Sequence, residues 1–150
     1  SLMDKVAYAC AAKHAGGYCV TVSMNGVDFL APVEVGDLVS LIASVNYVGT
    51  SSMVIGIKVV SENVVTGEKV HTNTSYLTMV AKAEDGKPRP VPKLELQSKI
   101  CVRRFIEAKK RREFIKEFRK NLSSNKMTDE ESLAHLSDLT EERCIINVKQ

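Results

Sequence analysis

Small and apolar side chains recur at helical spacing over residues 2–15. Alanine is frequent in this stretch, neither glycine nor proline interrupts it, and Gly16-Gly17 follows it directly. Alanine favours a helix and glycine commonly ends one. We therefore predict a helix over residues 2–15 whose buried face is formed by Leu2, Val6, Ala9 and Cys10.

The apolar period shortens to two residues after the glycine pair. Apolar and polar residues alternate from Val20 to Asn25, and three later segments are rich in Val, Ile and Thr. Both features are typical of strands. The pattern predicts strands at residues 19–30, 38–48, 52–62 and 68–82, joined as an antiparallel meander. One hydrophobic face of this sheet would cover the alanine-rich helix, which makes the fold α+β.

The pattern changes again beyond the last predicted strand. Residues 86–92 contain three prolines and predict an ordered extended segment or a loop. Residues 96–121 predict a basic helix with a patchy apolar stripe, and a capping box from Thr128 to Glu131 predicts a short acidic helix reaching about Leu139. We divide the chain into a core domain at 1–95 and a charged helical extension at 96–150. The stripe consists of Ile100, Phe105, Ile115, Phe118 and Leu122.

Composition limits the classes of protein to consider. The net charge of the 150 residues is only +3, but residues 99–120 are strongly basic and residues 123–150 lean acidic. No stretch is long and apolar enough to span a membrane, and no secretory signal is visible. The four cysteines form no CxxC pair and no cluster with metal-ligand spacing. We expect reduced thiols, a cytoplasmic location, no bound metal and no cofactor.

Three blocks of sequence stand out: Leu2-Met3-Asp4-Lys5-Val6-Ala7 with Lys13-His14, Asp28-Phe29-Leu30-Ala31-Pro32-Val33 with Val35-Gly36-Asp37, and Gly86-Lys87-Pro88-Arg89-Pro90-Val91-Pro92. Together, in this order, they resemble the cytosolic acyl-CoA hydrolase family of the hotdog fold. The resemblance covers roughly residues 2–95 and implies an antiparallel sheet wrapped around one central helix. In that family a further strand and a glycine-bearing turn precede the helix, and we expect such a segment upstream of Ser1.

Asp4 is the candidate catalytic residue. Its spacing alone indicates only an exposed acid near a helix N-terminus, where the helix dipole stabilises negative charge. The resemblance implies more, because the Met3-Asp4 position matches the one that holds the family's catalytic carboxylate. A carboxylate there takes a proton from water or attacks the thioester carbonyl itself.

The remaining site candidates are polar or basic. From composition alone, these candidates are turn-forming residues, exposed strand positions and part of a solvated basic loop. The resemblance implies that they contact the substrate, with Lys87 and Arg89 binding the phosphates of coenzyme A from a stiff segment. The predicted substrate-binding residues are Thr21, Gly49, Thr50, Ser51, Ser52, Lys87 and Arg89.

The family implies an acyl-CoA thioesterase that works without a cofactor, since coenzyme A is part of the substrate. It also implies a homo-oligomer, with active sites between paired chains and three dimers forming a hexamer. The alternative is a non-catalytic hotdog module that binds acyl-CoA or a protein partner. The basic helix leaves nucleic-acid or membrane binding open, but its aromatic residues lie on the apolar stripe and do not alternate with the cations, so we expect neither.

Overall fold

The computed structural model describes residues 1–149, and for residues 26–29 only the backbone is described. Every predicted helix and strand is present to within a few residues. A short 3₁₀ helix, Leu136–Leu139, ends the regular structure. The elements are α1 (Leu2–Ala15), β1 (Cys19–Phe29), β2 (Leu38–Val48), β3 (Ser52–Glu62), β4 (Lys69–Ala81), α2 (Lys99–Ser124) and α3 (Asp129–Leu133).

The four strands form one antiparallel sheet in the order β1-β4-β3-β2. The predicted meander is therefore right for β2, β3 and β4 but wrong for β1, which pairs with β4. Residues 30–37 carry the chain across the sheet, a span of about 14 Å for three strand spacings. This link is fastened at both ends. Leu30 N donates to Thr72 O at 2.7 Å, and Ser61 Oγ donates to Asp37 Oδ2 at 2.6 Å.

Helix α1 covers one face of the sheet, and its small residues form the contact. Ala7, Ala11 and Ala15 are buried at a spacing of four residues, with Met3 and Cys10 packed beside them. The face predicted from Leu2, Val6, Ala9 and Cys10 is wrong for Leu2 and Ala9, which are exposed, whereas Val6 and Cys10 are half-buried. Methyl side chains let the helix backbone lie close to Met53, Ile55 and Leu77, which are fully buried.

The opposite face of the sheet, which we call the outer face, packs against the first turns of α2. The Phe105 ring lies 4.8 Å from the Tyr47 ring, the Arg111 guanidinium lies 3.7 Å above the Tyr76 ring, and Ala108 is buried. Ile100, Phe118 and Leu122 of the predicted apolar stripe are exposed. Two compact units, Ser1–Arg111 and Arg112–Gln150, divide the chain inside α2. The boundary predicted at residue 95, between the core domain and the charged helical extension, stays a prediction.

The proline-rich segment is ordered and extended, as predicted. Pro88 pairs with Lys82, Arg89 N donates to Ala81 O at 3.0 Å, and Val91 N donates to Thr50 O at 2.8 Å. These bonds hold the segment against the end of the sheet. The capping box of α3 is also confirmed, since Thr128 N donates to Glu131 Oε2 at 2.7 Å and Glu131 N donates to Thr128 Oγ1 at 3.2 Å.

Gly56 is needed in the middle of β3 because the side chain of Asn46 lies directly over it. A Cβ at this position would collide with Asn46 Nδ2, and Asn46 is itself buried. We expect Gly56→Ala to lower the free energy of unfolding by about 1–3 kcal/mol, the usual cost of overpacking. Urea unfolding measures it. Adding Asn46→Ala should recover part of the loss, whereas strictly additive losses would contradict the predicted collision.

Candidate active site

Asp4 occupies the third position of α1 and forms a capping box with Ser1. Asp4 Oδ2 accepts hydrogen bonds from Ser1 Oγ at 2.7 Å and from the Ser1 backbone nitrogen at 3.1 Å. In return, Asp4 N donates to Ser1 Oγ at 3.4 Å. The side chain is 47% exposed. These hydrogen bonds, the one from the Ser1 hydroxyl above all, lower the pKa of Asp4 below its ordinary value.

This arrangement suits Asp4 to act on a solvent-derived nucleophile. The carboxylate is ionised at neutral pH, water can reach it, and it lies in the first helical turn, where the backbone N–H groups have no carbonyl partner within the helix. An ionised carboxylate accepts a proton from a water that attacks a carbonyl carbon. Backbone N–H groups at a helix start stabilise the negative oxygen that forms.

The predicted Gly49–Ser52 turn joins β2 to β3 at one end of the sheet. Gly49 N donates to Ser52 O at 2.8 Å, which closes the turn. Its two central carbonyls are both used, since Thr50 O accepts from Val91 N and Ser51 O accepts from Ala81 N. The turn and the proline-rich segment are therefore bonded to each other, and the structure brings together two groups of predicted substrate-binding residues.

Arg89 fastens the C-terminal end of α1. Its Nη1 donates to Ala15 O at 2.8 Å and its Nε donates to Lys82 O at 3.2 Å. Its Nη2 is buried and has no hydrogen-bond partner among the described residues. This nitrogen lies against Gly17, where an added Cβ would come within 2.8 Å of it. This contact was not predicted from the sequence, although a glycine pair such as Gly16-Gly17 often marks a close approach of other atoms to the backbone.

Lys87 and Thr21 are both exposed but differ in setting. Lys87 N donates to Asp85 Oδ1 at 2.9 Å, which orders the turn, while its side chain lies in solvent. Thr21 pairs with Met79, whose side chain is buried in the core beneath α1. Directly paired strand residues share a face of the sheet. Thr21 therefore lies on the α1 face, close to the strand ends that contact the Gly49–Ser52 turn.

Asp4 lies apart from the other predicted site residues within one chain. The rise of about 1.5 Å per residue separates Asp4 from Ala15 by roughly 17 Å along α1. Arg89 and the Gly49–Ser52 turn are at the Ala15 end, as the Arg89–Ala15 and Val91–Thr50 bonds establish. One chain thus places its carboxylate and its remaining candidate residues at opposite ends of the same helix.

The cysteines near this helix are poor nucleophiles. Burial raises the pKa of Cys10 and of Cys19 above the ordinary value, so neither is a thiolate at neutral pH. Within residues 1–149, no group of three or more His, Cys, Asp or Glu side chains is arranged to hold a metal ion. No helix in that part of the chain combines the length and apolarity that crossing a membrane requires.

Comparison with known proteins identifies the family. The model of the thioesterase superfamily matches residues 1–68. The uncharacterized acyl-CoA thioester hydrolase YkhA of Bacillus subtilis is 42% identical over 119 residues, which cover 75% of this chain and 69% of YkhA. The chain belongs to the thioesterase superfamily. The resemblance seen in the three sequence blocks is confirmed.

Further relatives extend the comparison within the thioesterase superfamily. Protein VdlD of Helicobacter pylori is 48% identical over 113 residues, and this chain covers 64% of the length of VdlD, less than two thirds. A hexameric acyl-CoA thioesterase has a structure with a TM-score of 0.73 at 39% identity, covering 83% of this chain and 78% of that one. The predicted hotdog fold is confirmed.

An acyl-CoA hydrolase of Staphylococcus aureus is similar over most of its length. Its complex with butyryl coenzyme A, coenzyme A and coenzyme A disulfide has a TM-score of 0.74 at 34% identity, covering 89% of this chain and 79% of that one. Other structures of that enzyme carry a single replacement by alanine, of an aspartate in one and of a threonine in another.

Proposed function

We propose that this protein is an acyl-CoA thioesterase in which Asp4 activates the attacking water. The observation that carries the proposal is the half-exposed, ionised carboxylate at the start of the helix that covers one face of the sheet. The reaction consumes acyl-CoA and water and yields a free fatty acid and coenzyme A. No metal or redox group takes part in it, and that absence stays a prediction.

The S. aureus enzyme supports the choice of residues. The interval between the aspartate and the threonine that were replaced in it equals the interval between Asp4 and Thr21. Asp4 begins α1 and Thr21 lies on the sheet face that α1 covers. We assign Asp4 the role of general base and Thr21 the role of a hydroxyl that orients the water or the substrate.

The proposed reaction proceeds in two stages. Water loses a proton to Asp4 as its oxygen bonds to the thioester carbon, and the carbonyl oxygen becomes negative. N–H groups at the start of α1 stabilise that charge. The carbon–sulfur bond then breaks with its electron pair on sulfur, and the proton held by Asp4 passes to the departing thiolate. The carboxylate is regenerated for the next cycle.

The proposed active site is shared between two copies of the chain. Roughly 17 Å of helix separates Asp4 from the end of α1 where the turn and Arg89 lie, which is too far for both ends to act on one thioester. A twofold arrangement brings Asp4 of one copy to the opposite end of α1 in the other. The hexameric acyl-CoA thioesterase supports such an assembly, and we propose dimers grouped into a hexamer.

A thiol-release assay over an acyl-CoA series from acetyl to palmitoyl tests the proposed activity. We expect free thiol and fatty acid in equal amounts, with at least one chain length turned over at a rate in the usual enzymatic range of about 1 per second or more. Saturable acyl-CoA binding without thiol release would contradict the proposal and favour a binding module. The same assay with pantetheine thioesters measures how much the nucleotide contributes.

The pH dependence follows from the hydrogen bonds that Ser1 gives to Asp4. A general base must be ionised, and the pKa of Asp4 lies below its ordinary value. We therefore expect kcat/KM to stay level as pH falls from 7 to about 4. Ser1→Ala removes the largest cause of the lowered pKa and should move the acid limb to higher pH. An acid limb above about pH 5 in a folded wild-type protein, checked by circular dichroism at each pH, would contradict the assignment.

A further inference from the structure

A cavity lies on the outer face of the sheet, opposite α1. We call this cavity, enclosed by the sheet and the first turns of α2, the outer-face pocket. Its volume is about 380 Å³, within the range of small-molecule sites. Four cationic side chains line it, one from strand β3 and three from α2. They are Lys58, Arg103, Arg104 and Arg111.

The positive charge of the outer-face pocket is only partly balanced. Among the described residues, Glu107 is the one carboxylate that lines the pocket, and it lies 3.5 Å from Arg103 Nη1. This pair is half-exposed and neutralises one cation. Arg111 is held against the Tyr76 ring, which fixes its guanidinium without removing its charge. The pocket therefore concentrates uncompensated positive charge against the low-dielectric surface of the sheet.

The wall on the sheet side is polar, although it is covered by a helix. Ser44 Oγ donates to Asn46 Oδ1 at 2.8 Å, and Asn46 is buried. Gly56 supplies the space in which the Asn46 amide lies. On the neighbouring strand, His71 Nε2 is 2.7 Å from Thr74 Oγ1. A sheet face that serves only to pack a helix is normally apolar, so this polar wall indicates a ligand with polar atoms.

We infer that the outer-face pocket binds a phosphate-bearing ligand. Guanidinium groups match phosphate oxygens in shape and charge, and three uncompensated cations suit a diphosphate better than a single carboxylate. The sheet separates this pocket from the α1 face that carries Thr21, so it is distinct from the proposed catalytic site. The Arg111 guanidinium covers one face of the Tyr76 ring, so that face is not available to stack on a nucleic-acid base.

Titration calorimetry with inorganic pyrophosphate tests the inference on the full chain. We expect saturable binding that weakens at least about tenfold in the double variant Lys58→Gln with Arg104→Gln, since each removes a charged donor. The matched control is Lys109→Gln with Lys110→Gln, which removes the same charge from exposed positions of α2 that do not line the pocket. The control should bind as the wild type does.

Further ligands identify the source of the phosphate. ADP and coenzyme A are titrated with and without saturating pyrophosphate. Competition by ADP assigns the pocket to a free nucleotide, and competition by coenzyme A alone assigns it to the diphosphate of the substrate. Either result supports the inference. No saturable pyrophosphate binding, or equal weakening in both double variants, would overturn it. Because the readout is heat of binding, the outcome is independent of thioesterase turnover, and Arg103→Gln supplies a second variant if the first does not fold.

Discussion

Asp4→Ala is expected to lower kcat for acyl-CoA hydrolysis by at least about a hundredfold, the usual scale for losing a general base. The side chain is half-exposed and contacts only Ser1 among the described polar partners, so its removal should leave the fold and the assembly intact. Thiol release measured at saturating substrate gives kcat, and sedimentation gives the assembly state.

A matched control separates catalysis from helix capping. Glu131 holds the same third position in the capping box of α3 that Asp4 holds in α1. Glu131→Ala should therefore cost a similar amount of capping energy, about 0.5–2 kcal/mol, while kcat stays at the wild-type value. A folded Asp4→Ala protein with near-normal kcat would refute the catalytic assignment. An equal loss of kcat in both variants would mean that the effect comes from lower stability and not from lost catalysis.

Arg89→Ala is expected to lower the free energy of unfolding by about 2–4 kcal/mol. It removes two hydrogen bonds from a charged donor and leaves the carbonyls of Ala15 and Lys82 without that partner. It also opens space beside Gly17. Urea unfolding followed by circular dichroism measures the change.

Lys87→Ala is the control for Arg89→Ala, because it removes a positive charge from the same segment where the side chain lies in solvent. It should leave stability within about 0.5 kcal/mol of the wild type. The two variants also test the prediction that both residues bind coenzyme A phosphates. If Arg89→Ala unfolds like the wild type but raises KM, Arg89 serves the substrate and the clamp on α1 contributes nothing measurable.

Local patterns were sufficient to place the helices and strands. The change of apolar period near Cys19 marks the boundary between α1 and β1, and the Thr128–Glu131 capping box marks the start of α3. Both signals act over a few residues, so the sequence alone contains them. The same kind of box joins Ser1 to Asp4, and its Ser-x-x-Asp spacing could have been used to predict that contact.

Contacts between distant residues were not predictable in the same way. The pairing of β1 with β4 depends on which sheet edge is free once β2, β3 and β4 have paired, and nothing within β1 specifies that. The bond from Arg89 to Ala15 joins segments far apart in sequence. The buried face of α1 was misjudged because hydrophobic size favoured Leu2, whereas close packing favoured Ala7 and Ala11.

The candidate site was predicted in part. The Gly49–Ser52 turn and the proline-rich segment lie together, as a shared role requires. The role of Asp4 came from the family resemblance alone, because its spacing indicates only a capping acid. The separation of Asp4 from the other candidates, which lie at the opposite end of α1, could be seen only in the three-dimensional structure. This separation is the reason for proposing a site shared by two copies.

Mixing two inactive variants tests this account most directly. Asp4→Ala and Thr21→Ala proteins are purified separately, dissociated, mixed in equal amounts and reassembled, and thiol release is compared with that of each parent treated alike. Random reassembly makes half of the dimers mixed. If Asp4 of one copy and Thr21 of the other form one site, each mixed dimer holds one intact site out of two. Activity should therefore return to about a quarter of the wild-type value. Activity no higher than the mean of the two parents, with mixed dimers confirmed by mass spectrometry, would contradict the shared site.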